Sequence, residues 1–311
     1  MSTEDVGHIP VLLEPVLEVL NLRPGMVVVD CTLGLGGHSR EMLRRVQPGG
    51  RLVAFDFDPA NIAVARGRLA AAGGEFEIVH GNFAGLPTAL ANLGIERVDA
   101  VLADVGVAST QIDDPARGFS YRRPGPLDMR MDPTRGEPAS VLINRMSEDD
   151  LRDAIFQLGD ETDSPAIARL IVERRRERPI ETTQELMELV CEARDFTVQR
   201  AFGAKLHPAA RTFQALRILV NRELANLQRL LAVLPDVLRP GGVAAIISFH
   251  SGEDRLVKNA FKAGARAGVY EDVAEDPILA DPAEFGRNPR SRSAKLRWAR
   301  VAEVIDEPEG V

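Results

Sequence analysis

Residues 26–38 read MVVVDCTLGLGGH, a short apolar run followed by a glycine-rich turn. The run from Met26 to Thr32 has the length and the β-branched content of a buried strand. The glycines at 34, 36 and 37 predict a tight turn that leads into a helix. A strand, a glycine-rich turn and a helix in this order are typical of α/β proteins that bind a nucleotide-like ligand at the turn.

Three further strands follow, with helices between them. The strands are predicted at Arg51 to Asp58, Phe76 to Asn82 and Val98 to Gly106, and the helices at His38 to Val46, Pro59 to Ala72 and Phe83 to Leu93. Strands that alternate with helices predict an α/β fold with a doubly wound, mostly parallel sheet. Ligands bind such sheets at the carboxyl ends of the strands, where Asp30, Asp56 and Asp104 fall.

A long interval separates the fourth strand from the fifth, which is predicted at Gly241 to Phe249. One crossover helix is predicted at 212–238, where apolar residues recur every three or four positions. Roughly 100 residues remain, far more than the usual connection of about 2–6 residues. We therefore expect a Rossmann-like domain formed by 1–112 and 210–311 and an inserted, all-helical domain at 113–209. The chain closes with a candidate for the seventh strand at Leu296 to Val304, and we expect a seven-stranded sheet whose sixth strand is not placed.

Capping residues support a helical insert. Helix starts are predicted at Ser147, at Ser164 and at Thr182, each beside residues typical of the first turn of a helix. By contrast, 113–138 is rich in proline, glycine and arginine and predicts an ordered loop. The insert should therefore consist of helices that follow one long loop.

The bulk properties exclude several classes of protein. No apolar run approaches the roughly 18 residues of a membrane span, so we expect no membrane partner. Met1 to Gly7 carries Glu4 and Asp5 without a basic apolar leader, which predicts a cytoplasmic location. Neither Cys31 nor Cys191 lies in a CxxC pair, and the five histidines show no ligand spacing, so no metal site is expected. The net charge of −8 argues mildly against a nucleic-acid partner, although local basic clusters matter more.

The glycine-rich turn fits a methyl donor better than a nicotinamide dinucleotide. The dinucleotide pattern needs glycine at position 39, where this chain has Ser39. Glycines at the turn let the backbone approach the methionine part of S-adenosylmethionine closely, and Asp56 can accept both ribose hydroxyls. A glycine-rich turn alone is weak evidence, and Asp30 could instead cap the following helix. The ordered set of the turn, Asp56 and Asp104, each at a strand end, favours the donor.

Seven segments of the chain resemble the RsmH (MraW) family. They are HIPVLL (8–13), DCTLGLGGHS (30–39), ADVGVASTQIDDPARGFSYR (103–122), GPLDMRMDPTRG (125–136), HPAARTFQALRILVNREL (207–224), SFHSGEDR (248–255) and NPRSRSAKLR (288–297). The resemblance implies a class I methyltransferase that uses S-adenosylmethionine. It also implies a substrate, N4 of a cytidine in the decoding region of 16S ribosomal RNA within the small subunit, and it permits a homodimer.

The resemblance also implies which residues contact the donor: Gly36, Gly37, His38, Asp56, Phe83, Asp104 and Gln111. Asp104 is in addition the candidate catalytic residue, because an acceptor beside the cytosine amine raises its electron density and can take its proton. Catalysis and donor binding remain alternative roles for Asp104, and Phe83 could be a core residue. Two departures from the family pattern stand out, Ala108 in place of serine and Gly252 in place of leucine.

Arginine and lysine clusters are the candidate RNA contacts, since phosphates are bound by such side chains. The candidates are Arg117, Arg130 and Arg135 in the long loop, His250 after the fifth strand, and Arg290, Arg292 and Lys295 near the end of the chain. Phe119 and Tyr121 are candidate stacking surfaces, although Phe119 is as well suited to the core. Two other functions stay open, an N4-cytosine methyltransferase acting on another nucleic acid and a donor-binding ribosome-assembly factor with weak or no catalysis.

Overall fold

A computed structural model describes residues 10–303 of the chain. His8 and Ile9 of the first motif, and Val304 at the predicted end of the last strand, lie outside these residues. The strands are β1 (Val27–Asp30), β2 (Arg51–Asp56), β3 (Glu75–His80), β4 (Val98–Asp104), β5 (Leu238–Ser248), β6 (Tyr270–Val273), β7 (Ile278–Leu279) and β8 (Lys295–Val301). The helices are α1 (Leu13–Leu20), α2 (Gly37–Val46), α3 (Pro59–Ala72), α4 (Leu86–Asn92), α5 (Ser109–Asp113), α6 (Ala139–Arg145), α7 (Glu148–Gly159), α8 (Ser164–Glu177), α9 (Thr183–Ala193), α10 (Val198–Phe202), α11 (Ala210–Asn221), α12 (Glu223–Val237), α13 (Ser251–Arg266) and α14 (Pro282–Arg287).

Within residues 10–303 the strands form one sheet in the order β3-β2-β1-β4-β5-β8-β6, and β7 also pairs with β8. The five strands from β3 to β5 are parallel, and β8 is antiparallel to its three partners. The mostly parallel sheet is confirmed, but the count of seven strands is corrected to eight. β6 and β7 pair with opposite ends of β8 and share the seventh position. A two-residue strand such as β7 is too short to leave a periodic pattern in the sequence.

Both faces of the sheet are covered by helices, which confirms the doubly wound arrangement. Alternate residues of a strand point to opposite faces. Val29 therefore packs in one buried cluster, with residues of α4, α12 and α13, whereas Val28 packs in the other, with residues of α1, α2 and α3. Burial on both faces explains why the strands read as continuous apolar runs in the sequence.

The single crossover helix predicted at 212–238 is wrong. Two helices, α11 and α12, occupy this range, and Arg222 between them has the left-handed conformation with φ of +52°. A left-handed residue interrupts the helical hydrogen-bond ladder. Buried residues such as Leu216 and Leu227 lie on either side of the break, so the apolar spacing alone does not reveal it.

The described residues divide into two compact units. One contains the residues up to Gly106 and those from Leu224 onward, and the other is Val107–Glu223. The predicted divisions lay at 112/113 and 209/210. The second unit extends further because α11 packs against α7: Arg211 donates to the carbonyl oxygen of Asp160 at 2.9 Å, and a Cβ atom on Gly159 would lie 2.5 Å from the Arg211 carbonyl oxygen.

The second unit is helical, and its predicted helix starts are confirmed. Ser147 Oγ accepts a hydrogen bond from the N–H of Asp150, and Thr182 forms a capping box with Glu185. The predicted loop at 113–138 begins at the last residue of α5 and is otherwise irregular, apart from a 3-10 turn at Pro115–Arg117 and a bridge between Pro126 and Thr182. No helix among residues 10–303 combines the length and the apolar content that crossing a bilayer would need.

Candidate active site

Three aspartates end neighbouring strands of the first unit. Asp30 ends β1, Asp56 ends β2 and Asp104 ends β4, as their positions in the sequence predicted. The chain order β1, β2, β3 runs to one side of β1, and β4 lies on its other side. A crevice opens at such a switch point, at the carboxyl ends of the two central strands. Asp30 and Asp104 stand at this crevice.

The glycine-rich turn is shaped by its glycines and held by Asp56. Gly34 and Gly36 have φ of +50° and +83°, conformations that other residues adopt only with strain. The N–H of Gly34 donates to Oδ2 of Asp56 at 2.7 Å. Gly37 passes so close to Pro10 that a Cβ atom would lie 2.5 Å from the proline Cγ. The turn therefore presents its backbone, rather than side chains, along the crevice.

Asp30 is almost fully buried and stabilises the glycine-rich turn through hydrogen bonds. Its Oδ1 accepts from the N–H of Thr32 at 3.0 Å, and its Oδ2 accepts from the hydroxyl of Ser39 at 2.6 Å. The serine at the position where a dinucleotide motif has glycine thus anchors α2 to β1. Thr32 acts in the same network, and its place two residues after Asp30 is the sequence signal that could have indicated this.

Asp56 is a carboxyl group with capacity to bind a ligand. Burial raises the pKa of Asp56 to about 6, although hydrogen bonds from the N–H groups of Asp58 and Gly34 act in the opposite direction. Asn61 Nδ2 also donates to Oδ1 at 3.4 Å. Each carboxylate oxygen has two lone pairs, so an acceptor site stays open on Oδ2 among the described residues. Asp58 is instead a helix cap: its Oδ1 accepts from the N–H of Ala60 at the start of α3.

Asp104 lies at the tip of β4 with an unsatisfied oxygen. Its Oδ1 is buried and has no hydrogen-bond partner among residues 10–303, while its N–H donates to Thr32 Oγ1 at 2.7 Å. Burial, followed by the negative charges of Asp30 and Glu253, raises the pKa of Asp104 to about 8. A buried oxygen without a partner is costly, so this atom is suited to a ligand.

His38 lies beside Asp104 and is also buried. Its Nε2 is 2.9 Å from the carbonyl oxygen of Val11, and its Nδ1 is 3.9 Å from Asp104 Oδ2. Burial lowers the pKa of His38, although the charge of Asp30 opposes this effect. The imidazole of His38 therefore lies between Val11, in the segment before α1, and Asp104, the candidate catalytic residue.

Glu253 and His250 form the other side of the crevice within the same unit. Glu253 is almost fully buried, and its Oε2 accepts from the N–H groups of Phe249 and His250 at 2.9 and 3.3 Å. His250 caps α13 through Nδ1, which accepts from the N–H of Glu253. A Cβ atom at Gly252 would lie 3.2 Å from the His250 ring, and the structure does not explain why glycine replaces the family's leucine.

The other two predicted donor contacts are Phe83 and Gln111. Phe83 is buried in the core cluster beside β2 and β4 and begins a 3-10 turn that Asn82 caps. Gln111 belongs to the second unit, where it is buried and its Oε1 accepts from the N–H of Ala108 at 3.0 Å. Their contacts with the donor stay predictions.

The arginines of the long loop differ in their exposure and in the hydrogen bonds and ion pairs that they form. Arg117 donates to the carbonyl oxygens of Arg130 and Met131, and Arg130 forms a two-point ion pair with Asp128 at 2.8 and 2.7 Å. Arg135 has a side chain that is 77% exposed and lies 3.6 Å from Asp132. Arg135 is therefore the most accessible of the three for an external phosphate.

The basic segment near the end of the chain also contains both exposed and buried side chains. Arg290 and Arg292 are exposed, and the Arg292 guanidinium lies over the ring of Phe285. Lys295 is 3.3 Å from Asp254. Arg297 is buried and donates to Asp254 at 2.6 Å and to the Glu275 carbonyl oxygen. The exposed arginines suit phosphate binding, while Arg297 stabilises the fold.

Comparison with known proteins identifies the family. The sequence matches the profile of the MraW methylase family over residues 5–302, nearly the whole chain. The chain belongs to the MraW methylase family. This match confirms the resemblance inferred from the seven motifs, and it makes the protein a methyltransferase with S-adenosylmethionine as its methyl donor.

Relatives in this family cover the chain almost from end to end. The ribosomal RNA small subunit methyltransferase H of Geobacter sp. (strain M21) is 45% identical over 309 residues, which are 94% of this chain and 98% of the relative. The protein of the same name from Sorangium cellulosum is 46% identical, over 94% of this chain and 90% of the relative. Each match therefore covers at least nine tenths of both chains.

Solved structures with a similar fold are more distant. An rRNA methylase from Streptococcus thermophilus has a TM-score of 0.42 and 12% identity, over 94% of this chain and 94% of that chain. A SAM-dependent O-methyltransferase from Thermotoga maritima has a TM-score of 0.41 and 10% identity, over 93% of this chain and 64% of that chain.

The described residues of this MraW methylase fit S-adenosylmethionine. The turn around Gly36 offers bare backbone, Asp56 offers an acceptor site for a ribose hydroxyl, and Asp104 offers a buried oxygen that has no partner among residues 10–303. A positively charged sulfonium is favoured near Asp104, where the negative charges of Asp30 and Glu253 also act, because opposite charges attract strongly in a partly buried site.

Proposed function

We propose that the protein methylates the N4 amino group of one cytidine in the decoding region of 16S ribosomal RNA. The ribosomal RNA of the small subunit is the substrate class named for relatives that are about 45% identical over nearly the whole chain. The choice of cytidine N4 rests on the motif resemblance and on the chemistry of Asp104. The unsatisfied, buried Oδ1 of Asp104 is the observation that carries this proposal.

In this reaction the nitrogen lone pair forms a bond to the methyl carbon, and the electron pair of the broken carbon–sulfur bond stays on sulfur. The amine loses one proton, so a base must accept it. S-adenosylmethionine supplies the electrophilic methyl group when it is bound. The work of the protein is to align the amine with that methyl group and to handle the proton.

Asp104 is suited to both tasks. Its carboxylate can accept a hydrogen bond from the cytosine amine, which orients the nitrogen and increases its electron density. The pKa of Asp104 is about 8, which is close to neutral pH, so the carboxyl group can both accept and release a proton during the reaction. Thr32 and His38 hold the group from two sides, so we assign them positioning roles.

Asp30 and Glu253 contribute through charge rather than contact. Both are buried beside Asp104 and add negative potential at the tip of β4. This potential favours a cationic donor over its neutral product, because the sulfonium carries a positive charge that S-adenosylhomocysteine lacks. Release of the product is favoured for the same reason.

The experiment measures transfer of labelled methyl groups to small ribosomal subunits that lack the modification. Wild type is compared with Asp104→Asn, and Asp58→Asn serves as the matched control because asparagine caps a helix as well as aspartate does. Digestion and mass analysis locate the label. We expect label on N4 of one cytidine with wild type and Asp58→Asn, and a loss of at least 100-fold with Asp104→Asn, in line with general-base contributions of about 10²–10⁴.

Binding of S-adenosylhomocysteine by each variant separates the roles of Asp104. Normal binding with lost transfer supports catalysis, whereas lost binding makes Asp104 a donor ligand. Tight donor binding by wild type without any transfer would support the assembly-factor alternative. Label on a different atom or a different nucleic acid would overturn the choice of cytidine N4.

A further inference from the structure

Four aromatic rings form a connected series in the second unit. Phe213 is buried and meets Tyr121 edge to face at 5.6 Å, and Tyr121 stacks on His207 at 4.4 Å. His207 in turn meets Phe202 edge to face at 4.9 Å. Phe202 is 46% exposed, so the series runs from the core of this unit to its surface. We call these four residues the ring series.

His207 carries a buried polar atom without a partner. Its Nδ1 accepts a hydrogen bond from the N–H of Ala209, so the neutral imidazole has its proton on Nε2. Burial, aided by the positive charge of Arg122, lowers the pKa of His207 and keeps the ring neutral. Nε2 is buried with no hydrogen-bond partner among residues 10–303. An unsatisfied buried donor is unfavourable, and a ligand that accepts a hydrogen bond from it would offset that cost.

Two positively charged residues accompany the ring series. Arg122 lies over the ring of Tyr121 at 5.9 Å, and Lys205 is exposed between Phe202 and His207 in the sequence. Residues 196–222 contain no acid at all. Leu206 is 56% exposed and adds apolar surface beside these cations. Apolar rings combined with cations are what a single-stranded nucleic acid requires, since bases stack and phosphates pair.

We propose that the ring series, with Arg122 and Lys205, binds an unpaired nucleotide of the RNA substrate at a position other than the methylated base. The base stacks on Phe202, its phosphates pair with the two cations, and a base oxygen or nitrogen accepts the proton of His207 Nε2. Phe202 is held on its His207 side and is exposed elsewhere, so its ring can turn to admit the base. This inference rests on the proposed function, because it takes RNA as the substrate.

An apolar protein partner fits the same surface less well. A partner helix could cover Phe202 and Leu206, but it would leave the two cations and the Nε2 proton without partners. Buried unpaired charges are strongly unfavourable at protein interfaces. A nucleotide satisfies the rings, the cations and the imidazole together.

The test measures the affinity of the full-length protein for unmodified 16S ribosomal RNA, with S-adenosylhomocysteine present. Phe202→Ala should bind about tenfold more weakly, as expected when one base loses its stacking partner. Phe156→Ala is the matched control: Phe156 is 53% exposed on α7, in a helix that begins with three acids, and its loss should leave affinity unchanged. Phe202→Tyr should restore the affinity, because it keeps the stacking surface.

A second variant tests the charges. Lys205→Gln should reduce the slope of log affinity against log salt by about one, the effect of losing one phosphate contact. Thermal unfolding of each variant should match that of wild type, since Phe202 and Lys205 are exposed. Saturating RNA should restore the methyl-transfer rate of Phe202→Ala, because the change weakens binding and not the reaction.

Several outcomes would overturn the inference. Phe202→Ala with the RNA affinity of wild type would do so. So would a Phe202→Ala variant that sediments as a smaller oligomer than wild type but binds RNA equally well. The second result would assign the surface to a second copy of the chain. If wild type neither binds nor methylates the RNA, the proposed function itself fails, and this case is distinct from failure of the Phe202 variant alone.

Discussion

The main-chain N–H of Asp104 donates to Oγ1 of Thr32 at 2.7 Å, which joins the tip of β4 to the turn after β1. Thr32 is in turn bound through its own N–H to Asp30. The position of Asp104 therefore depends on a side chain that belongs to the glycine-rich motif. This hydrogen bond links the glycine-rich turn to Asp104, the residue proposed to accept the proton.

Thr32→Val is expected to reduce the rate of methyl transfer by about 10- to 100-fold. Valine has the shape of threonine but leaves the N–H of Asp104 without an acceptor, and a loss of about 1–3 kcal/mol follows. Thr32→Ser keeps the hydroxyl and is the matched control. Single-turnover transfer and S-adenosylhomocysteine binding are measured for both. A valine variant with the rate of wild type would remove Thr32 from the list of positioning residues.

Binding of S-adenosylmethionine is expected to release a proton at pH 7. With a pKa of about 8, Asp104 is mostly protonated at this pH, and a sulfonium nearby favours the ionised form. S-adenosylhomocysteine is uncharged at sulfur and should release less. The release should vanish above about pH 9, where Asp104 is already ionised.

Titration calorimetry in two buffers of different ionisation enthalpy measures this release. Asp104→Asn should bind the donor without the extra proton release. Equal release for the donor and for S-adenosylhomocysteine would show that the sulfonium does not lie near Asp104.

Asp104→Asn is expected to raise the free energy of unfolding at pH 8 but not at pH 4. Because the pKa of Asp104 is raised from 3.8 to about 8, the folded state binds more protons than the unfolded state between these values. Stability of the wild type therefore falls as pH rises through this window. Asparagine removes this loss, and at about 1.4 kcal/mol for each unit of pKa shift the gain at pH 8 should be several kcal/mol. Urea unfolding at both pH values measures it, and an equal difference at the two would contradict the assignment.

Gly36→Ala is expected to weaken S-adenosylhomocysteine binding as well as lower stability. Gly36 has φ of +83°, and a Cβ atom would lie 3.3 Å from that of Ala65. Gly94 is the matched control, with φ of +69° and nothing within 4 Å of an added Cβ atom. Both alanine variants should lose about 1–2 kcal/mol of stability from the left-handed conformation. Calorimetry should find weakened ligand binding only for Gly36→Ala; weakening by both variants would point to a general loss of fold.

Arg292→Gln and Arg297→Gln are expected to separate RNA binding from folding. Arg292 is exposed, so its loss should lower the salt slope of RNA binding by about one and leave stability unchanged. Arg297 is buried against Asp254, so its loss should cost roughly 3 kcal/mol of unfolding free energy. Salt-dependent RNA binding and urea unfolding measure both effects. An unaltered salt slope for Arg292→Gln would exclude a phosphate contact there.

Much of the first unit could be predicted from residues that are local in sequence. The strand before the glycine-rich turn, the helix at Pro59–Ala72 and the strand-end positions of Asp56 and Asp104 all follow from apolar runs and capping residues. Such signals act over a few residues, and local sterics and burial decide them. The break at Arg222 and the short strand β7 were missed, because neither interrupts the apolar pattern.

The sequence by itself determined the class of fold, the family and the candidate donor residues, since each depends on motifs that are contiguous in the chain. Only the tertiary structure decided which of these residues meet. Thr32 and Asp104 are joined by a hydrogen bond across 72 positions, and Phe202, His207 and Tyr121 are brought together from two distant segments. The pKa of Asp104 is likewise a tertiary property, because burial beside Asp30 and Glu253 sets it. Desolvation and through-space charge depend on the packed environment, and no local pattern of residues encodes them.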